Sequence, residues 1–380
     1  MSLRGTINFA RRIETGLRAR FNPVRRVLID ARTPMNYSVA APIYRAMRDD
    51  SRVAFYFTSS EKPGRQADIF REAGCGARVI TPRRAFPMKF DAYLASDILW
   101  ARLLRGACRI QMFHGVAGKY GNVYDSPEFS MRDWDRLFFI NSRRLSAFVR
   151  SGAIDGESRA ARLVGMPKLD CLVDGSLKRD EVLTSLEIDP ARQTVLYAPT
   201  WSPYSSLNAM GEELVEALCA KGYAVLVKLH DRSRDPEYMH SGGVDWCARL
   251  EPVLAEHGGV LAVGSNACPY LAAADVLITD HSSVGFEFML LDRPVVRIEM
   301  PKLIAETNIS PDYVDLLAAA STSVTSVKQA LTAVEYALEQ PAHLSEERRA
   351  VAREIFYEPG TATQRAVQEL YQAIELDPPG

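Results

Sequence analysis

Asp275-Val276-Leu277-Ile278-Thr279-Asp280-His281-Ser282-Ser283-Val284-Gly285-Phe286-Glu287-Phe288-Met289-Leu290-Leu291-Asp292-Arg293-Pro294-Val295-Val296 reads as strand, polar turn, helix and second strand in quick succession. A strand, a crossover helix and a strand at this spacing favour a parallel sheet covered on both faces. The pattern extends in both directions. QTVLYAPTW (193–201), the helical MGEELVEALCAKG (210–222), YAVLVKLH (223–230), VLAVGS (260–265) and the helical YLAAA precede the quoted stretch. Nearer the N-terminus, VRRVLID, RVAFYFTS (52–59), ARVITP (77–82), FDAYLASD (90–97), RIQMFHG (109–115), DRLFFINS (135–142) and SRAARLVGMP (158–167) are short apolar runs between helical or polar segments, with a helix expected from Pro42 to Met47. The arrangement expected is α/β, with two Rossmann-like domains whose parallel sheets face each other across a cleft.

The boundaries follow from composition. A basic amphipathic helix is expected over residues 1–22, a first domain over 23–170, a polar helical linker over 171–192, a second domain over 193–352 and a helical tail over 353–380. The 380 residues are 47% hydrophobic and 24% charged, enough to bury two cores. A formal net charge of -1 gives no global attraction to nucleic acid. The six cysteines are scattered without a C-x-x-C pair, which argues against a zinc cage and for reduced thiols. No apolar run approaches the roughly 20 residues needed to cross a bilayer. Arg11, Arg12, Arg18 and Arg20 interrupt any signal-peptide core, so the expectation is a protein kept inside the cell. Residues 1–26 hold seven arginines against one acid, Glu14, and Ile7, Ala10, Ile13, Leu17 and Phe21 recur at helical spacing. Such a helix suits an anionic membrane surface, although it equally suits packing on the first domain.

Polar residues gather where strands end. Gln111-Met112-Phe113-His114-Gly115 closes one strand, Tyr197-Ala198-Pro199-Thr200-Trp201 a second, Lys228-Leu229-His230 a third, and Asp280-His281-Ser282-Ser283 a fourth. In open parallel sheets ligands bind beyond these carboxyl ends. Ser282 and Ser283 open a helix whose first turn has unpaired N–H groups and partial positive charge, and Gly285 would let a ligand approach the backbone; this suits phosphate. Capping by Asp280 or Ser282 is the competing reading. His114 leads into a flexible basic loop with Gly115, Gly118 and Lys119. Lys228 and His230, two residues apart, are expected on one side of their strand, as suits a diphosphate. His240, His257 and His343 read as surface residues, and no H-E-x-x-H or D-x-D motif lies near the histidines to name a metal.

The ordered motifs FHGVAGKYG, VGMPKLD, VLYAPTW, VLVKLH and DVLITDHSSVGFEFMLLDRPVV, with the closing FYEPGTATQRAVQELY (356–371), resemble the CDP-glycerol glycerophosphotransferases of teichoic acid synthesis. Those enzymes show a WHG-T-P-x-K-x-x-G loop, G-x-P-R-x-D, YAPTW, K-x-H-P and D-Y-S-S-x-x-F-D-F. The resemblance covers about 109–371. It implies a GT-B fold, CDP-glycerol as donor, CMP as leaving group, a polymeric or lipid-linked acceptor, and a peripheral position on the inner face of the cytoplasmic membrane. It further implies catalytic roles for His114 and His230, and donor-phosphate contacts for Ser282 and Ser283. Lys228, His281 and Gly285 are expected beside the same phosphates, Thr200 and Glu287 at the nucleotide, and Gly115 and Lys119 at the acceptor. A solvated helix carboxylate is the other reading of Glu287. Phe113 replaces Trp, Val116-Ala117 replaces Thr-Pro, Asp231 stands where Pro is usual, His281 replaces Tyr, Glu287 replaces Asp, and Glu358-Pro359-Gly360 replaces the acidic tail motif. None removes a histidine. CDP-ribitol or another CDP-alcohol stays open as donor. The rival readings are a UDP-sugar glycosyltransferase or epimerase on the same fold, and a non-catalytic nucleotide-binding protein at the membrane.

Overall fold

The computed structural model describes residues 24–74, 77–120, 131–262 and 264–379. The basic N-terminal helix expected over 1–22 lies outside them. The chain divides into two compact units. Among the described residues, unit 1 comprises 24–114, 131–168 and 361–379, and unit 2 comprises 115–120 and 169–360.

Unit 1 is built on seven strands: β1 (Arg25–Asp30), β2 (Val53–Thr58), β3 (Arg78–Val79), β4 (Ala92–Ser96), β5 (Cys108–Met112), β6 (Arg136–Phe139) and β7 (Ala161–Leu163). Their order is β3-β2-β1-β4-β5-β6-β7, and every pair is parallel. Val27, Ile29, Phe57, Leu94 and Ile110 are buried to within a few per cent, as continuous apolar strands covered on both faces must be. The helix Pro34–Met47 starts eight residues before the expected Pro42. Thr33 Oγ1 accepts the Asn36 N–H at 3.2 Å as its cap, and Pro34 takes the first turn, where a missing N–H costs nothing.

Unit 2 holds β8 (Thr194–Tyr197), β9 (Ala224–Val227), β10 (Val260–Leu261), β11 (Val276–Thr279), β12 (Val295–Ile298) and β13 (Thr322–Val324), ordered β10-β9-β8-β11-β12-β13 and again all parallel. Both sheets therefore reverse their winding once, between β1 and β4 in unit 1 and between β8 and β11 in unit 2. Those reversals open the crevices in which such sheets bind ligands.

The divisions fall elsewhere than composition suggested. The segment expected as a linker, 171–192, folds into unit 2: the Arg179 guanidinium binds Asp275 through two nitrogens, at 3.0 and 2.8 Å. The tail splits at 360. Its helix Ala362–Ala373 buries Ala366, Leu370 and Tyr371, with Ile374 beyond it, in the core of unit 1 beside Val27, Tyr37 and Ile43. The loop 115–120, expected with the first domain, belongs to unit 2.

Candidate functional site

In unit 2 the polar residues collect at the β8/β11 reversal. Asp280 is fully buried and fully engaged. Its Oδ1 accepts the Thr200 N–H at 2.8 Å, and its Oδ2 accepts the Ser206 N–H at 3.1 Å and the Ser206 hydroxyl at 3.0 Å. Asp280 is thus a cap, but for the helix Ser206–Ala220 rather than its own. It locks the loop after β8 against the end of β11. The helix that follows, Val284–Met289, receives no side-chain cap from Ser283. Ser282 and Ser283 are half-buried at its start.

Gly285 does not serve the purpose expected of it. A Cβ there would lie 2.7 Å from Leu317 Cδ1, so the missing side chain admits a neighbouring helix rather than a ligand. His281 is likewise turned away from solvent, with no exposed surface. Its Nε2 accepts the Met300 N–H at 3.4 Å, which leaves the ring proton on Nδ1 without a partner. Burial first, then the Arg297 and Lys119 cations, push its pKa down to about 4 against the pull of Asp280 and Glu299. The ring is neutral and cannot offer phosphate a charge. Glu287 is also buried, which excludes the solvated helix carboxylate.

Lys119 arrives from the loop that follows His114. Its ammonium donates to Thr200 Oγ1 at 3.2 Å and lies near the Tyr120 and Tyr313 rings, while its carbonyl accepts the Ser310 N–H at 2.9 Å. Burial lowers its pKa to about 8, with Asp280 opposing. The structure therefore groups Lys119 with Thr200 and the β11 turn.

The strand β9 ends at Val227, so strand alternation does not set the sides of Lys228 and His230. Lys228 is buried and donates to the Leu229 carbonyl at 2.7 Å. His230 is half-buried, and its Nδ1 accepts the Arg232 N–H at 3.1 Å. In the neutral ring the proton then sits on Nε2, making that nitrogen a donor. The His230 ring lies 6.1 Å from that of Trp201, whose face is covered by the Arg232 guanidinium at 4.2 Å and which stands nearly perpendicular to the His240 ring at 5.9 Å. Asp235, Glu237 and His240 form the only cluster among the described residues with ligand atoms close enough, within 4.8 Å, to hold a metal ion.

In unit 1 His114 follows β5 with its side chain one-third exposed, its Nδ1 3.8 Å from Asp97 Oδ1. Burial holds its pKa below the ordinary value. Arg32 and Lys168 lower it further, and Asp97 raises it. Gly115 is exposed, with open space where a Cβ would stand.

A profile of the family described as CDP-Glycerol:Poly(glycerophosphate) glycerophosphotransferase matches residues 40–372. The chain belongs to that family. As a CDP-glycerol glycerophosphotransferase family member it is a transferase, and CDP-glycerol is the family's donor. Among solved structures, the wall teichoic acid polymerase TagF is similar over 97% of this chain and 97% of that one, at 15% identity and a TM-score of 0.66. The S. aureus MnaA-UDP complex is similar over 93% and 98%, at 12% identity and 0.56. A UDP-N-acetylglucosamine 2-epimerase is similar over 92% and 96%, at 13% identity and 0.56. These likenesses show the fold, a GT-B-like pair of parallel α/β units. No curated protein sequence matches the chain.

Within this glycerophosphotransferase family member, sequence reasoning overlooked Asp97, Arg32, Trp201 and Arg232. Asp97 and Arg32 were legible in principle, because each lies just past a strand that flanks the β1/β4 reversal. Trp201 stood inside a quoted motif, but its partner Arg232 follows a turn whose course the sequence does not reveal.

Proposed function

We propose that the chain transfers glycerol phosphate from CDP-glycerol to a hydroxyl of a lipid-linked or polymeric cell-surface glycan, releasing CMP. The acceptor oxygen bonds to the β-phosphorus, the bond from that phosphorus to the bridging oxygen breaks, and CMP departs with the electron pair. His114 takes the acceptor's proton, a contribution of about 10²–10⁴-fold. A ring held below its ordinary pKa is unprotonated at neutral pH and available as a base. His230, with its proton on Nε2, donates a hydrogen bond to donor phosphate oxygens. Lys119, Ser282 and Ser283 add cation and hydroxyls there, fixed before charge develops. Lys119 thereby moves from the acceptor side, where its position in sequence put it, to the donor side. Thr200, Lys228 and Glu287 shape the walls of the donor site.

The single observation that supports the reading best is the setting of the two rings: Nδ1 of His230 accepts the Arg232 N–H at 3.1 Å, whereas Nδ1 of His114 faces the Asp97 carboxylate at 3.8 Å. One ring is set to donate and the other to accept. Incubation with CDP-glycerol, CDP-ribitol and UDP-N-acetylglucosamine, each with acceptor, should give CMP from CDP-glycerol and no UDP. UDP release, or nucleotide binding without turnover, would reject it. The enzyme is further placed on the inner face of the membrane through residues 1–26; unchanged sedimentation with anionic vesicles after deletion of 1–22 would contradict that placement.

A further inference from the structure

Three neighbouring strands of the first sheet, β1, β4 and β5, release polar residues just past their carboxyl ends: Arg32, Asp97 and His114. All belong to unit 1, at its winding reversal. Asp97 is unusual among them. Its φ is +87°, a backbone conformation that costs a non-glycine residue energy and persists only where the surroundings enforce it. Here they do. The Asp97 N–H donates to the Met112 carbonyl at 3.0 Å, and its own carbonyl accepts the Leu99 N–H at 2.9 Å.

The side chain is fixed as firmly. Oδ2 pairs with the Arg32 guanidinium, which also binds Glu61 at 3.1 Å, and Oδ1 accepts the Ile98 N–H at 3.0 Å. Oδ1 also faces His114 Nδ1 at 3.8 Å, and catalytic hydrogen bonds are often this long before substrate binds. The charged groups facing this imidazole are Asp97, Arg32 and Lys168. Two of them oppose an imidazolium, and only Asp97 favours one.

We propose that Asp97 is the positioning residue of His114: Arg32 and a strained backbone hold its carboxylate at Nδ1, so that Nε2 is the nitrogen left to accept the acceptor's proton. The proposal rests on His114 being the base. When the proton arrives, Asp97 pairs the new charge that Arg32 and Lys168 repel.

The test uses the full-length enzyme with CDP-glycerol and acceptor, reading the pH profile of kcat/KM together with thermal unfolding. Asp97→Asn keeps the shape, and asparagine tolerates positive φ. Its kcat should fall by about 10²-fold with KM for CDP-glycerol little changed. The acid limb of its profile should shift to lower pH, because the one group that raises His114's proton affinity is gone. Asp97→Gly, which relieves the backbone, should unfold above Asp97→Ala, which loses the same Arg32 and Ile98 partners but keeps the positive φ, and should be as impaired as Asp97→Asn. If His114→Ala is inactive but Asp97→Asn keeps the parental rate and acid limb, the positioning role is wrong and the base assignment stands. If His114→Ala turns over normally, both are wrong. If Asp97→Gly unfolds no higher than Asp97→Ala, the strain argument is wrong.

Discussion

His281 shows what a single position conceals. Its neighbours in sequence, Asp280, Ser282 and Ser283, suggested a phosphate turn, and three histidines at strand ends suggested one chemistry. Nothing in the sequence says which way a turn residue points, and this ring points into the core beside the Met300 N–H. The burial has a measurable cost. In the unfolded chain the imidazole protonates near pH 6.5, and in the folded chain near 4. Above 6.5 both states leave it neutral, so it contributes no pH dependence. As pH falls from 6.5 toward 4 the unfolded state binds more protons, and stability drops by about 3 kcal/mol in total. Chemical denaturation at pH 7 and pH 4 should therefore show the parent losing about 3 kcal/mol more than His281→Gln. Parallel losses would mean that the ring is not held neutral.

At the scale of elements, strand ends were the most legible feature. Apolar runs bounded by polar residues located both sheets, because parallel strands buried on two faces leave an unbroken hydrophobic signal. Helix starts and the uses of turn residues were less legible, since these depend on what the fold packs against them. Asp280 caps a helix that begins at Ser206, far away in sequence. Gly285 makes room for Leu317 on the helix Pro311–Ala319, which no local pattern announces. Gly285→Ala should destabilise the protein by about 1–3 kcal/mol through overpacking. Adding Leu317→Ala should make the double variant less unstable than the sum of the two single changes, as read by a denaturation cycle. A Gly285→Ala chain of parental stability but weakened CDP-glycerol binding would restore the ligand-approach reading.

Across the whole molecule, chain length and alternating strand and helix runs predicted two α/β units, and the chain forms them, but among the described residues it changes unit at 114/115, between 120 and 131, and at 168/169 and 360/361. Long-range returns of this kind leave no local trace. The last matters most for stability, because the helix Ala362–Ala373, expected as part of a helical tail, completes the core of unit 1. Arg25 Nε donates to the Ile374 carbonyl at 2.9 Å and the Tyr371 hydroxyl to Asp50 at 2.9 Å. Burying Leu370, Tyr371 and Ile374 contributes roughly 1.5–3 kcal/mol each, comparable together with the whole stability of a domain. Truncation after Gly360 should unfold unit 1, seen as loss of amide-exchange protection in β1 and β4. Retained protection there would show the helix to be dispensable.

We propose His114 as the base for glycerol phosphate transfer by this family member. The most direct test is CMP release from CDP-glycerol in the presence of acceptor, measured for the parent and His114→Ala beside a CDP-glycerol binding isotherm for each. The variant should release CMP about 10²–10⁴-fold more slowly with the donor Kd unchanged. Parental release by His114→Ala, or donor binding lost together with activity, would contradict it.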